Sequence, residues 1–176
     1  GYDNAYCMKI LMTGGAGFIG AHTAKMLCDR GHSVVIVDDF NDYYPVQLKE
    51  DRVATLLKGY DLTVERFDIR QEAKLESLFK QYDFDAVCHL AARAGVRSSL
   101  ENPKLYYDVN VLGTLNVFEC ARKSGVDRIV FASSSSVYGS NTKLPFSEED
   151  VVDHPMSPYA ATKKCCELMA YHYHHL

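Results

Sequence analysis

At 176 residues, 47% apolar and 24% charged, the chain has the size and make-up of one globular domain with a real core. Its formal net charge of −4 argues against general polyanion attraction, nucleic acid included, and no apolar run has the length of a membrane span. Six cysteines lie scattered without zinc-ligand spacing, which points to a reducing, cytoplasmic setting and to no metal centre.

Residues 1–7 are polar and aromatic and lack a secretory apolar core, so they read as a leader before a domain spanning 8–176. Ile10 to Met12 form a first short strand. Gly14-Gly15-Ala16-Gly17 then makes a tight turn, and a helical pattern follows with Ile19, Thr23 and Met26/Leu27 on one side. In that context each glycine has a physical task. Gly14 takes the turn's backbone angles, Gly17 lets a pyrophosphate approach the main chain, and Gly20 lets the helix lie against the sheet. The free N–H groups of the helix's first turn and its dipole favour phosphate.

The spacing Gly14-x-x-Gly17-x-x-Gly20 is weak on its own, because a strand-to-helix turn without a ligand has it too. Ser33 to Val37 adds weight. This second apolar, β-branched run ends at Asp38, where a carboxylate accepts from both hydroxyls of an adenine ribose and repels a 2′-phosphate. Together, turn and acid point to NAD rather than NADP. Asp39 is the alternative acid.

Pro45 opens a helix with Leu48, Val53, Leu56 and Leu57 as a partial apolar face. Asp61 to Phe67 is a third strand, ending at Asp68. Gln71 to Tyr82 is an amphipathic helix with Leu75, Leu78 and Phe79 inward. Phe84 to Leu90, nearly all apolar, is a fourth strand, and Ala91-Ala92 follow it. One long helix is expected from Pro103 to Ser124, closed by Gly125. Asp127 to Ala132 is a fifth strand, and a last helix starts near Pro158. Five strand–helix alternations predict an α/β fold, a doubly wound parallel (Rossmann) sheet. Its carboxyl edge would gather Gly14 to Gly17, Asp38, Asp68, Ala91-Ala92 and Ser133 to Ser136, where open α/β sheets bind ligands.

The last helix carries Tyr159 and Lys163, four apart and so on one face. A surface pair has the same spacing; the position after the fifth strand of a dinucleotide fold gives it weight. An ammonium and an oxidised nicotinamide ring both favour a phenolate, so Tyr159 is a candidate general base on a sugar or alcohol hydroxyl. Ser133 to Ser136 offer hydroxyls at the same edge, although a polar strand-to-loop transition reads the same way. His172, His174 and His175 lack a partner ligand and read as a solvated helix end.

TGGAGFIG, the acid at Asp38, HLAA at His89 to Ala92, SSSSVYG at Ser133 to Gly139 and YAATK at Tyr159 to Lys163 resemble the extended short-chain dehydrogenase/reductase family of nucleotide-sugar enzymes. Asp38 to Arg52 and Ala91 to Pro103 look more narrowly like UDP-glucuronate 4-epimerases. The resemblance implies Tyr159 as general base, Lys163 as its partner and Ser134 as the hydroxyl on the sugar's 4-oxygen. It places Gly14, Gly17, Phe18, Ile19 and Gly20 around the pyrophosphate, Asp38 on the ribose, Asp68 and Ile69 by the adenine, and Ala91 and Ala92 beside the cofactor. Ser135, Ser136 and Arg97 would face substrate, with a solvated loop arginine the alternative for Arg97. Asn110 would brace the site or simply bend its helix.

Related 4,6-dehydratases carry an Asp-Glu pair after the hydroxyl residue, and related decarboxylases a Glu at the position of Ser136. This chain has Ser135-Ser136, and a serine is a poor acid/base for dehydration. The implied reaction is therefore C4 epimerisation of a UDP-sugar by transient oxidation, most simply of UDP-glucuronate. The alternatives are a UDP-glucose/galactose-type 4-epimerase and an inert NAD-binding module. Family members run to roughly twice this length, with a further domain's worth of sequence, so the chain is expected to be an amino-terminal piece that binds NAD and turns over poorly alone. A homodimer is expected through the helix from Pro103 and the last helix.

Overall fold

The computed structural model describes residues 7–133 and 157–175. Five parallel strands form one sheet in the order β3-β2-β1-β4-β5. They are β1 (Lys9–Thr13), β2 (Ser33–Asp38), β3 (Leu62–Arg66), β4 (Ala86–His89) and β5 (Ile129–Phe131). The helices are α1 (Phe18–Asp29), α2 (Val46–Asp51), α3 (Glu72–Gln81), α4 (Val96–Glu101), α5 (Pro103–Tyr106), α6 (Gly113–Lys123) and α7 (Pro158–His174). The expected doubly wound sheet is present. Strand order reverses beside β1, whose neighbours are β2 and β4, and a crevice opens at that point on the carboxyl edge.

Alternation along the strands divides the core. Leu11, Val35, Val37 and Val87 point to one face, where Leu75, Leu78 and Phe79 of α3 and Val117 and Phe118 of α6 cover them. Met12, Val34 and Ile36 point to the other, against Ala21 and Ala24 of α1 and Leu57. Both faces are thus covered, which is why these strands read as nearly unbroken apolar runs.

The side of α1 that bears Ile19 and Met26 faces outward: they are 68% and 44% exposed, and Gly20, Ala21 and Ala24 are buried instead. Small side chains let α1 lie close to the sheet, so size rather than hydropathy marks its inner face. The helical run expected from Pro103 to Ser124 is present and unbroken from Pro103 to Lys123, but it is not uniform. α4 precedes it, and Asn102 caps α5 by accepting from the Leu105 N–H at 3.3 Å. Pro103 takes the first helical position, where its missing N–H costs nothing. A π-helical turn, Tyr107–Leu112, then separates α5 from α6 and carries Asn110.

Candidate nucleotide cleft and active site

A cleft of about 390 Å³ occupies the switch point. Gly14, Gly17 and Phe18 line it from the turn, Asp38 from β2, Asp68 and Ile69 from the end of β3, and Ala91 and Ala92 from the end of β4. The turn is held tightly. Gly14 has φ +71°, and a Cβ there would stand 2.8 Å from the Ala91 nitrogen. A Cβ on Gly20 would strike the Gly14 carbonyl oxygen, so α1 starts hard against the turn. Gly20 and Ile19 stay outside the cleft wall.

At Gly17 the surroundings differ. An added Cβ would meet only the Gly14 oxygen, at 3.2 Å. Gly17 is the residue just before α1, no side chain caps the helix, and its first turn holds no acid. Unmatched N–H groups and the positive end of the dipole thus face the cleft, a donor set that fits a pyrophosphate.

Asp38 is buried. One carboxylate oxygen accepts from the Phe40 N–H at 2.9 Å and Lys49 Nζ at 2.8 Å, and the other from the Ala16 N–H at 3.1 Å. The carboxylate therefore locks the glycine turn to β2, with one of its roughly four acceptor positions left for a ribose hydroxyl. Asp68 pairs with the Arg70 guanidinium at 2.8 Å. Burial pushes its carboxyl up, but hydrogen bonds from the Arg70 side chain and N–H outweigh that and hold it below the usual range.

Asn110 ties this cleft to α7. Its Oδ1 accepts from the Arg93 N–H at 2.8 Å, and its Nδ2 donates to the Arg93 carbonyl and to Thr162 Oγ1, both at 3.0 Å. The Cys166 thiol donates to the Asn110 carbonyl, 3.0 Å away. Asn110 thus sits in the π-helical turn and ties the loop at Arg93 to α7, the helix that carries Tyr159 and Lys163. Lys163 is buried and donates to the Ala132 carbonyl at the end of β5, 3.0 Å away. Burial lowers its pKa. The half-buried Tyr159 ring meets Tyr106 edge-on, with centroids 6.3 Å apart.

Arg97 is not brought to the cleft: its side chain is 93% exposed on α4 and stands 3.7 Å from Glu101. Ser134, Ser135 and Ser136 lie outside the described residues. Among the described residues no group of acids, histidines and cysteines has the arrangement of a metal site, and no helix is long and apolar enough to cross a membrane.

The family model described as GDP-mannose 4,6 dehydratase matches residues 11–176. The chain belongs to the GDP-mannose 4,6 dehydratase family. Within that family it is 50% identical to the protein CapI of Staphylococcus aureus over 169 residues, covering 96% of this chain and 50% of that one. It is 48% identical to the UDP-glucuronate 4-epimerase of Thermodesulfobacterium geofontis, covering 94% and 51%. The UDP-glucose 4-epimerase of Bifidobacterium longum, solved with NAD+ and UDP, superposes with a TM-score of 0.85 at 34% identity, covering 94% and 49%. The chain spans about half the length of the relatives it matches.

Several cleft residues escaped sequence reasoning. Lys49 and Arg52 line it, and Arg52 reaches the Ala16 carbonyl at 3.2 Å. In the sequence they read as the solvated side of an amphipathic helix. Their spacing of three placed both on one face, and that face turns toward the acid. Tyr43 and Arg93 also line the cleft, from loops with no periodicity to give them away.

Proposed function

We propose that this dehydratase-family chain is the NAD-binding part of a UDP-sugar 4-epimerase acting on UDP-glucuronate. The observation that carries the reading is the link from cleft to helix. The walls at Gly17, Asp38 and Ala91 suit a dinucleotide, and Asn110 joins them through Arg93 to the helix bearing Tyr159 and Lys163. NAD held there would supply a hydride acceptor and donor at the sugar's C4, with no net redox change.

The chain's own residues do the rest. Tyr159, as general base, takes the C4 hydroxyl proton and later returns it. Lys163, one helical turn further along α7, supplies a positive charge on the same face, and its bond to the Ala132 carbonyl fixes its reach. Ser134 donates to the 4-oxygen. The N–H groups of α1 and the Asp38 carboxylate hold the two ends of the adenosine diphosphate moiety. Identity near 48% to named UDP-glucuronate 4-epimerases favours that substrate. The solved UDP-glucose 4-epimerases, at 32–36% identity, support the UDP-glucose-type alternative less strongly.

The six cysteines, free in the structure, suit work in the cytoplasm. Leu112, Leu115, Leu168 and Tyr171 are exposed on neighbouring helical segments and are our candidate surface for a homodimer. The deciding assay incubates the protein with NAD and either UDP-glucuronate or UDP-glucose and follows the C4 epimer by proton NMR. Epimer from UDP-glucuronate that disappears in Tyr159→Phe supports the reading. NAD binding without either epimer supports an inert module.

A further inference from the structure

We propose that Tyr43 is a cofactor-retaining residue: with Ser98 and Tyr106 it clasps the mouth of the cleft and sets how long the dinucleotide stays. The inference rests on the NAD reading above. The cleft lies between two loops, one following β2 and one following β4. Asn41, Tyr43 and Tyr44 belong to the first, and Ala92, Arg93 and Ala94 to the second. Tyr43 crosses from one to the other.

The first loop is built to present it. Asp39 Oδ1 accepts from the Asn41 N–H at 3.2 Å and from the Asn41 amide at 2.7 Å, and Asn41 Oδ1 accepts from the Tyr43 N–H at 3.2 Å. Two successive Asx turns thus stiffen the backbone that carries the phenol. The Tyr44 ring braces the Tyr43 ring edge-on, with centroids 4.8 Å apart.

The second loop is built to receive it. Gly95 has φ +101°, and a Cβ there would fall on the Tyr43 phenol oxygen. The Tyr43 hydroxyl lies 3.4 Å from Ser98 Oγ. Tyr106 donates to the Ala94 carbonyl at 2.6 Å and stands within reach of the same two hydroxyls. The Tyr43 hydroxyl thus meets those of Ser98 and Tyr106, 55 or more residues further along the chain, above one glycine, and the Tyr106 ring packs on Tyr159. Once the clasp is closed, a dinucleotide running from α1 toward Tyr159 is enclosed between the loops. The Tyr43–Ser98 contact is long and half-buried, so it opens for loading. A reaction that removes a hydride and returns it to the same sugar needs a cofactor that does not leave in between.

The test loads the protein with NADH, whose fluorescence reports release, and chases it with excess NAD in a stopped-flow instrument. Tyr43→Phe removes one hydroxyl and should speed release roughly three- to tenfold. Tyr43→Ala should exceed roughly tenfold, because the ring goes too. Ser98→Ala, a second variant across the cleft on α4, should match Tyr43→Phe. The melting temperature without cofactor should stay close to wild type in all three, which a merely structural role would not allow. NADH release from Tyr43→Ala and Ser98→Ala within about twofold of wild type, with NADH still bound by both, overturns the clasp and leaves the NAD reading standing. Failure of the wild-type protein to bind NADH at all removes the NAD reading, and the clasp with it.

Discussion

Thr13 and His89, register partners at the ends of β1 and β4, share a 2.6 Å hydrogen bond whose direction follows from counting. Thr13 Oγ1 already accepts from the Leu90 and Ala91 N–H groups, each at 3.1 Å. Its two lone pairs are used, so its proton goes to His89 Nδ1. His89 Nε2 then carries the ring proton and donates to Thr114 Oγ1 at 2.8 Å. A buried, neutral imidazole in one tautomer thus stands under the loop that passes the cleft.

Burial, with the Lys163 charge adding, pushes the His89 pKa down to about 3. The unfolded chain takes up that proton near pH 6.5, so below this point the unfolded state binds more protons than the folded one. Stability from this group is complete above about pH 6.5 and is lost as pH falls toward about 3, by up to about 1.4 kcal/mol per pH unit. Urea unfolding at pH 7, 6 and 5 should show a steeper acid loss for wild type than for His89→Gln. Equal slopes would mean that the imidazole is charged in the folded protein.

Replacing Thr13 separates the hydroxyl from the shape. Thr13→Val leaves the Ala91 N–H and His89 Nδ1 unmatched in the interior and should cost about 2–4 kcal/mol. Thr13→Ser keeps the hydroxyl and should recover most of that in chemical denaturation. A serine variant as weak as the valine one would show that the methyl group, not the hydrogen bonds, holds the loop.

Much of this site was legible in the sequence because its parts are local. The glycine turn, the acid at Asp38 and the Tyr159–Lys163 spacing each declare themselves within a few residues. The sheet followed from five apolar runs that alternation alone could not orient but that crossover handedness could. What stayed hidden depends on contacts between distant segments. Nothing near Lys49 says that it meets Asp38, and nothing near Tyr43 says that Gly95 clears a space for it. Asn110 reads from the sequence as either a bend or a brace, and no local pattern announces the bonds by which it ties Arg93 to Thr162.

The Asp38–Lys49 pair gives a prediction with two separable parts. Both side chains are nearly buried, so Asp38→Asn strands the Lys49 ammonium and should cost about 3–5 kcal/mol. Under the proposed function it should also weaken NAD binding more than about tenfold, worth about 1.4 kcal/mol. The double variant Asp38→Asn with Lys49→Met removes the stranded charge and should regain stability but not affinity. Unfolding by urea and titration calorimetry read the two effects apart. If affinity returns along with stability, Asp38 acts only as a strut for the glycine turn.

Asn110→Leu should be among the more damaging single changes. It removes both bonds to Arg93 and the one to Thr162 in the interior, and it should cost about 2–4 kcal/mol. Asn110→Asp keeps the acceptor for the Arg93 N–H but loses the donors and adds a buried charge, so it should be no better. Hydrogen exchange should locate the loss at Arg93 and at the start of α7. Exchange that rises only around the π-helical turn would make the residue a bend and nothing more.

Lys163 is the place where function and stability should part. Its ammonium is buried against a carbonyl with no carboxylate partner among the described residues, and burial lowers its pKa. A base with a depressed folded pKa binds fewer protons than the unfolded chain, so its charge opposes folding at every pH below its ordinary value near 10.5. Lys163→Met keeps the length of the side chain and drops the charge. The Ala132 carbonyl it abandons lies on an exposed residue and can turn to water. The variant should melt about 2–8 °C higher than wild type, and under the proposed function it should lose epimerisation. A variant that melts lower would mean that the Lys163–Ala132 bond contributes more than the buried charge costs, and that β5 depends on α7 for its place.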